Sequence, residues 1–182
     1  MTAETKAVPG HGWHTDVSAD AEPPSGSILG MEVIPEVGGD TMFCDMYAAY
    51  GALDEEWRSF IGPLQAVHSA AARHGGTYGV EADHPENTHP VVRTHPETGR
   101  KALYVNPGFT KSVVGLGDAE GSAILQFLFR HCEKPEFHCR FRWQPHSIAM
   151  WDNRCVTDYA VADYHPAVRS GYPVTLKGDR PT

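Results

Sequence analysis

In the run Gly12-Trp13-His14-Thr15-Asp16-Val17 an imidazole and a carboxylate stand two positions apart. In an extended segment the side chains of i and i+2 leave the same face, so His14 and Asp16 converge on one point while Thr15 turns away. One imidazole and one carboxylate are two thirds of the two-histidine, one-carboxylate set that holds non-heme Fe(II) with three positions open. Spacing alone does not decide the matter, because an HxD tripeptide is more often an ordinary solvated strand or loop. Val17 is placed to line the same pocket, and a β-branched residue in a strand is equally well explained as core. His74, His84 and His95 stand alone and read as solvated loop residues rather than ligands.

The elements that must position these groups are mostly short strands. Ser27–Ile34 is an apolar run ending at Pro35, and Gly38-Gly39-Asp40 is a turn before Thr41–Phe43. Asp45–Gly51 and Leu53–Ile61 read as helices, each with an early acidic residue, Asp45 or Asp54. Leu64–His68 is a further strand, and Ala70–Thr88, with four glycine or proline residues, is a loop. Val91–Arg93 and Ala102–Val105 flank the turn Pro96-Glu97-Thr98-Gly99 as a hairpin. Glu120–Cys132 is the clearest helix, its Phe and Leu residues assigned to the core. Phe137–Trp143 alternates as a half-buried strand, and Ser147–Trp151 and Val174–Leu176 complete the β content. Many short strands with few helices predict a mainly β jelly roll.

Composition narrows the function. The chain has 182 residues, enough for one domain with a genuine core, and a formal net charge of −8 without a Lys/Arg cluster. Nucleic-acid and anionic-membrane partners are therefore not expected. The polar stretch Met1–Gly10 lacks a signal-peptide core, and residues 1–12 read as a flexible leader to a domain over 13–182, expected in the cytoplasm. Cys44, Cys132, Cys139 and Cys155 form no CxxC pair and read as buried free thiols.

From Trp13 onward the chain resembles the TauD/TfdA (taurine dioxygenase-like) family of Fe(II)/2-oxoglutarate-dependent dioxygenases. The resemblance is carried by WHTDVS (13–18), PPSGSILGMEVIPEVGGDT (23–41), HPVVRTHPETGRKALYVNPGFT (89–110), KPEFHCRFRWQPHSIAMWDNR (134–154) and ADYHPAVRSGYPVTLKGDRP (162–181), in the family's order. It implies a double-stranded β-helix of cupin type, short at its N-terminus, where only thirteen residues precede His14. Missing strands would expose sheet edges and apolar surface, an expectation of dimerisation, instability or a gene fragment.

The resemblance also implies roles. His14 and Asp16 would bind Fe(II), Arg169 and Thr41 would hold the distal carboxylate of 2-oxoglutarate, and Val17 and Tyr172 would belong to the substrate pocket. The family's distal histidine falls on Asp158, a departure that leaves three alternatives: Asp158 as ligand, recruitment of His165 or His146, or a broken site. Tyr172-Pro173 stands where taurine-using members carry His-Arg, which disfavours taurine. The implied activity is hydroxylation of a small organic sulfonate, sulfate ester or carboxylate by O2, releasing succinate and CO2. The alternative is a catalytically impaired or non-catalytic descendant, or a truncated fragment, on the same fold.

Overall fold

The apolar run ahead of Pro35 becomes strand β1 (Gly26–Val33), and the Gly38-Gly39 turn delivers the chain into β2 (Thr41–Asp45). Both glycines have positive φ, 82° and 73°. A Cβ on Gly38 would lie 2.5 Å from the Asp163 carboxylate, and one on Gly39 would lie 3.2 Å from the Arg169 stem. The turn therefore needs glycine for conformation and for room. This is a computed structural model describing residues 12–71 and 84–182. All of the expected leader except Gly12, and most of the expected 70–88 loop including His74, lie outside the described residues.

Asp45 ends β2 and caps α1 (Met46–Gly51), its carboxylate accepting from the backbone N–H of Tyr47 and Ala48. Helix α2 (Glu55–Ile61) follows, then β3 (Gln65–Ser69), β4 (Glu86–Pro90), the hairpin β5 (Val92–Thr94) and β6 (Lys101–Leu103), and β7 (Thr110–Val113). Helix α3 (Asp118–Cys132) carries Asp118 and Glu120 in its first turn and Arg130 and His131 in its last, matching the helix dipole. It buries Leu125, Leu128 and Phe129 against α1 and the strands, while Phe127, expected in the core, is 38% exposed and stacks on Trp57 at 4.1 Å. None of the described helices is long and apolar enough to cross a membrane.

The last strands are β8 (His138–Phe141), β9 (Ile148–Asp152), β10 (Val156–Ala160) and β11 (Ser170–Leu176). Strand β8 starts one residue later than expected because Pro135–Phe137 form a 3-10 turn, and its Cys139 is exposed rather than buried. The sheets are antiparallel, in the orders β11-β1-β9, β10-β2-β8 and β4-β3-β7, with β5-β6 as a separate ribbon. This is the mainly β jelly roll expected from the sequence.

The first of these sheets has two unlike faces. Ser27, Leu29 and Met31 of β1 point inward with Trp151, Gly171 and Pro173 to line a cavity. On the other face Ile148, Met150, Tyr172 and Val174 are 56–70% exposed.

Candidate metal and cosubstrate site

His14 sits opposite Asp158 in an isolated antiparallel bridge. The pair exchanges both backbone hydrogen bonds, His14 N–H to Asp158 O at 3.0 Å and Asp158 N–H to His14 O at 2.8 Å. Strand β10 therefore pairs with β2 along one edge and with His14 along the other. The chain then turns over Asp16–Ala19, so Asp16 is brought beside His14 by a bridge followed by a turn rather than by a continuous strand. Val17 lies in that turn at φ 49°, a conformation β-branched residues avoid, with its side chain 41% exposed on the cavity wall.

The His14 ring is oriented by its own backbone. Nδ1–H donates to Gly12 O at 2.9 Å, which turns Nε2 toward the two carboxylates. Nε2 lies 3.4 Å from Asp16 Oδ1 and 3.8 Å from Asp158 Oδ2. The three potential ligand atoms lie within 4.8 Å of one another, the only such group of metal-ligating side chains among the described residues. His146 and His165, the alternative third ligands, are exposed and outside the group.

Two residues that sequence reasoning missed hold Asp16 in place. Ser27 Oγ–H donates to Asp16 Oδ2 at 2.5 Å, and Asn153 Nδ2–H donates to Ser27 Oγ at 2.8 Å. Both are buried. The signal for Ser27 was its parity with Leu29 and Met31 on one face of β1.

Across the cavity, of about 460 Å³, Arg169 Nη2–H donates to Thr41 Oγ1 at 3.2 Å. Trp143 Nε1–H donates to the same oxygen at 3.0 Å. Arg169 Nε, Tyr164 OH and Trp151 Nε1 belong to cavity-lining side chains, are buried, and have no hydrogen-bond partner among the described residues. Burial lowers the Arg169 pKa, opposed by Tyr164, Asp158 and Asp40, and a guanidinium stays charged through such a shift. A half-buried fork on the cavity wall, with an N–H that no described residue accepts, fits a carboxylate.

Other expected residues fall elsewhere. Tyr172 projects to the outer face, 65% exposed, and its neighbour Pro173 lines the cavity instead. Successive strand residues face opposite ways, so β11 registered against Gly30 puts Tyr172 outside. His95, expected in solvent, is 4% exposed and donates from Nε2 to Asp152 at 3.0 Å, while its Nδ1 accepts from the N–H of Glu97 and Thr98. Arg154 and His95 together hold the Asp152 pKa down at about 2 against the opposing effect of burial. His84 is half-buried.

The Taurine catabolism dioxygenase TauD, TfdA family matches residues 2–171. The chain belongs to the TauD/TfdA family. An alpha-ketoglutarate-dependent sulfonate dioxygenase of Saccharomyces cerevisiae is 36% identical over 93% of this chain and 43% of its own length. The alpha-ketoglutarate-dependent 2,4-dichlorophenoxyacetate dioxygenase of Cupriavidus pinatubonensis is 41% identical over 79% of this chain and 52% of its own. Among solved structures, AAD-2 in complex with Mn(II) and N-oxalylglycine superposes with a TM-score of 0.86 at 32% identity, covering 93% of this chain and 69% of that one. The chain spans about half the length of the curated relatives it matches. TauD/TfdA relatives depend on alpha-ketoglutarate, which is 2-oxoglutarate.

Proposed function

We propose that this protein is an Fe(II)- and 2-oxoglutarate-dependent dioxygenase that hydroxylates a small organic sulfonate, sulfate ester or carboxylate and releases succinate and CO2. The observation that carries the reading is the placement of two unlike polar stations on one cavity: His14, Asp16 and Asp158 at one, and the hydrogen-bonded Arg169–Thr41 pair at the other. The first offers three donors to one divalent ion, and the second fits an anionic ligand. Iron, when bound, supplies the oxidative decarboxylation of the cosubstrate and the O2 activation.

The protein's own groups do the positioning. His14 presents Nε2, the Ser27–Asn153 relay holds Asp16, and the His14–Asp158 backbone pair places Asp158. Arg169 receives the far carboxylate of 2-oxoglutarate through its idle Nε–H. Thr41 accepts from Trp143 and Arg169, so its own hydroxyl proton is the one left to donate to that carboxylate. Leu29, Met31, Phe109 and Val17 give the rest of the cavity an apolar wall for substrate. Taurine itself is disfavoured, since Pro173 on that wall has no donor.

A second reading, a non-catalytic member of the family, is favoured by Asp158, which gives the metal station a second carboxylate in place of an imidazole. Anaerobic calorimetry of 2-oxoglutarate into Mn(II)-loaded protein separates binding from turnover, and succinate formation with Fe(II) then reports activity. Saturable binding weakened about 30-fold or more in Arg169→Ala is expected, roughly 2 kcal/mol. Folded, metal-loaded protein that takes up no 2-oxoglutarate would contradict the reading. Binding without succinate would select the non-catalytic one.

A further inference from the structure

The metal station offers one imidazole nitrogen and two carboxylate oxygens. Position 158 is not a loosely tethered ligand: its backbone is locked to that of His14 by two hydrogen bonds, so the carboxylate is delivered by the sheet itself. No other His, Cys, Asp or Glu among the described residues joins the group to restore a second nitrogen. Donor type governs metal choice. Imidazole suits Ni(II), Cu(II), Zn(II) and iron, whereas carboxylate and water suit Mn(II), Mg(II) and Ca(II). Two carboxylates match the charge of a divalent ion, and this Coulomb attraction is alike for divalent ions of similar size, so it supports binding while donor type sets the preference.

We propose that Asp158 makes this a hard-cation centre, one that takes Mn(II) about as readily as Fe(II) and gives up most of the preference for nitrogen-seeking ions such as Ni(II). The inference rests on His14, Asp16 and Asp158 forming one metal site. Its consequence is that the metal present, rather than the fold, decides whether the cavity is reactive: Mn(II) and Fe(II) compete for the same three side chains.

The test is metal competition, with Mn(II) followed by electron paramagnetic resonance and displaced by Ni(II) or Mg(II), in wild type, Asp158→His and Asp158→Asn. The Ni(II)-to-Mn(II) affinity ratio is expected to rise about tenfold or more in Asp158→His, mainly through tighter Ni(II) binding. Asp158→Asn, isosteric and uncharged, is expected to weaken Mn(II) by about tenfold or more, and it carries the test if the histidine variant fails to fold. A ratio unchanged within about twofold in Asp158→His, or Mn(II) affinity unaffected in Asp158→Asn, would overturn the proposal. If Mn(II) still requires His14 and 2-oxoglutarate still requires Arg169 in that event, the selectivity inference falls alone. If wild type binds neither Mn(II) nor Ni(II), the metal site falls with it.

Discussion

His14 and the pair His68 and His89 are all buried, and their surroundings differ. His14 meets two carboxylates at the edge of a cavity. His68 and His89, on β3 and β4, lie 5.3 Å apart by ring centroid, and neither lines the cavity that holds His14. Both nitrogens of His68 are engaged by hydroxyls, Ser18 at 3.0 Å and Thr110 at 3.4 Å, and the ring stacks on Tyr104. His89 Nε2–H donates to Asp20 O. Burial pushes His68 down to about 3 and lowers His89, so both remain neutral. A buried imidazole is shared by the two regions. The pair of carboxylates is not, and that is what a cation site needs.

Substitutions that act on one region and leave the other alone make the contrast testable. The largest effect is expected for His14→Ala, which should lower divalent-metal affinity by about 100-fold or more while the melting temperature stays nearly constant. Metal analysis and a thermal scan on the same sample check it. His68→Ala should do the reverse. Loss of a fully buried ring, with two hydroxyls left unpaired, should cost about 2–4 kcal/mol in denaturant unfolding without changing metal stoichiometry.

The same histidine gives a pH signature. Its folded pKa lies below its unfolded one, so only the unfolded chain takes up the proton between about 6.5 and about 3. Stability is complete above that window and is lost as pH falls through it, on the order of 2–3 kcal/mol by pH 4. His68→Ala should flatten that slope, and an equal slope in the variant would remove His68 as its source. A smaller effect is expected for Ser27→Ala, which frees Asp16 Oδ2 from its donor and should weaken metal binding by about tenfold. Wild-type affinity in this variant would mean that the turn alone orients Asp16.

How much of this was legible in the sequence depends on which interactions are local. The pairing of His14 with Asp16, the Gly38-Gly39 turn and the Asp45 cap are written in residues a few positions apart, and they could be read directly. Strand β10 was not read as a strand, because Asp158 interrupts a run of only five residues, and that interruption is the proposed third ligand. Strands β4 and β7 carry polar residues and a proline and exist by pairing with β3, information held elsewhere in the chain. His95 precedes the turn Pro96-Glu97-Thr98-Gly99 and looks solvated, yet Asp152, 57 positions away, draws it inside. Tyr172 was misassigned by one residue, which in a strand is the difference between the two faces. Arg169 and Thr41 were identified through the family resemblance, since nothing local in the sequence marks a half-buried arginine.

The central claim, one cavity holding a metal at His14, Asp16 and Asp158 and 2-oxoglutarate at Arg169 and Thr41, is tested most directly by a crystal structure grown with Mn(II) and 2-oxoglutarate under anaerobic conditions. An anomalous peak bonded to His14 Nε2 and both carboxylates, with a cosubstrate carboxylate against Arg169 and Thr41, is the predicted result. A metal bound elsewhere, or a cosubstrate that leaves Arg169 untouched, would contradict it.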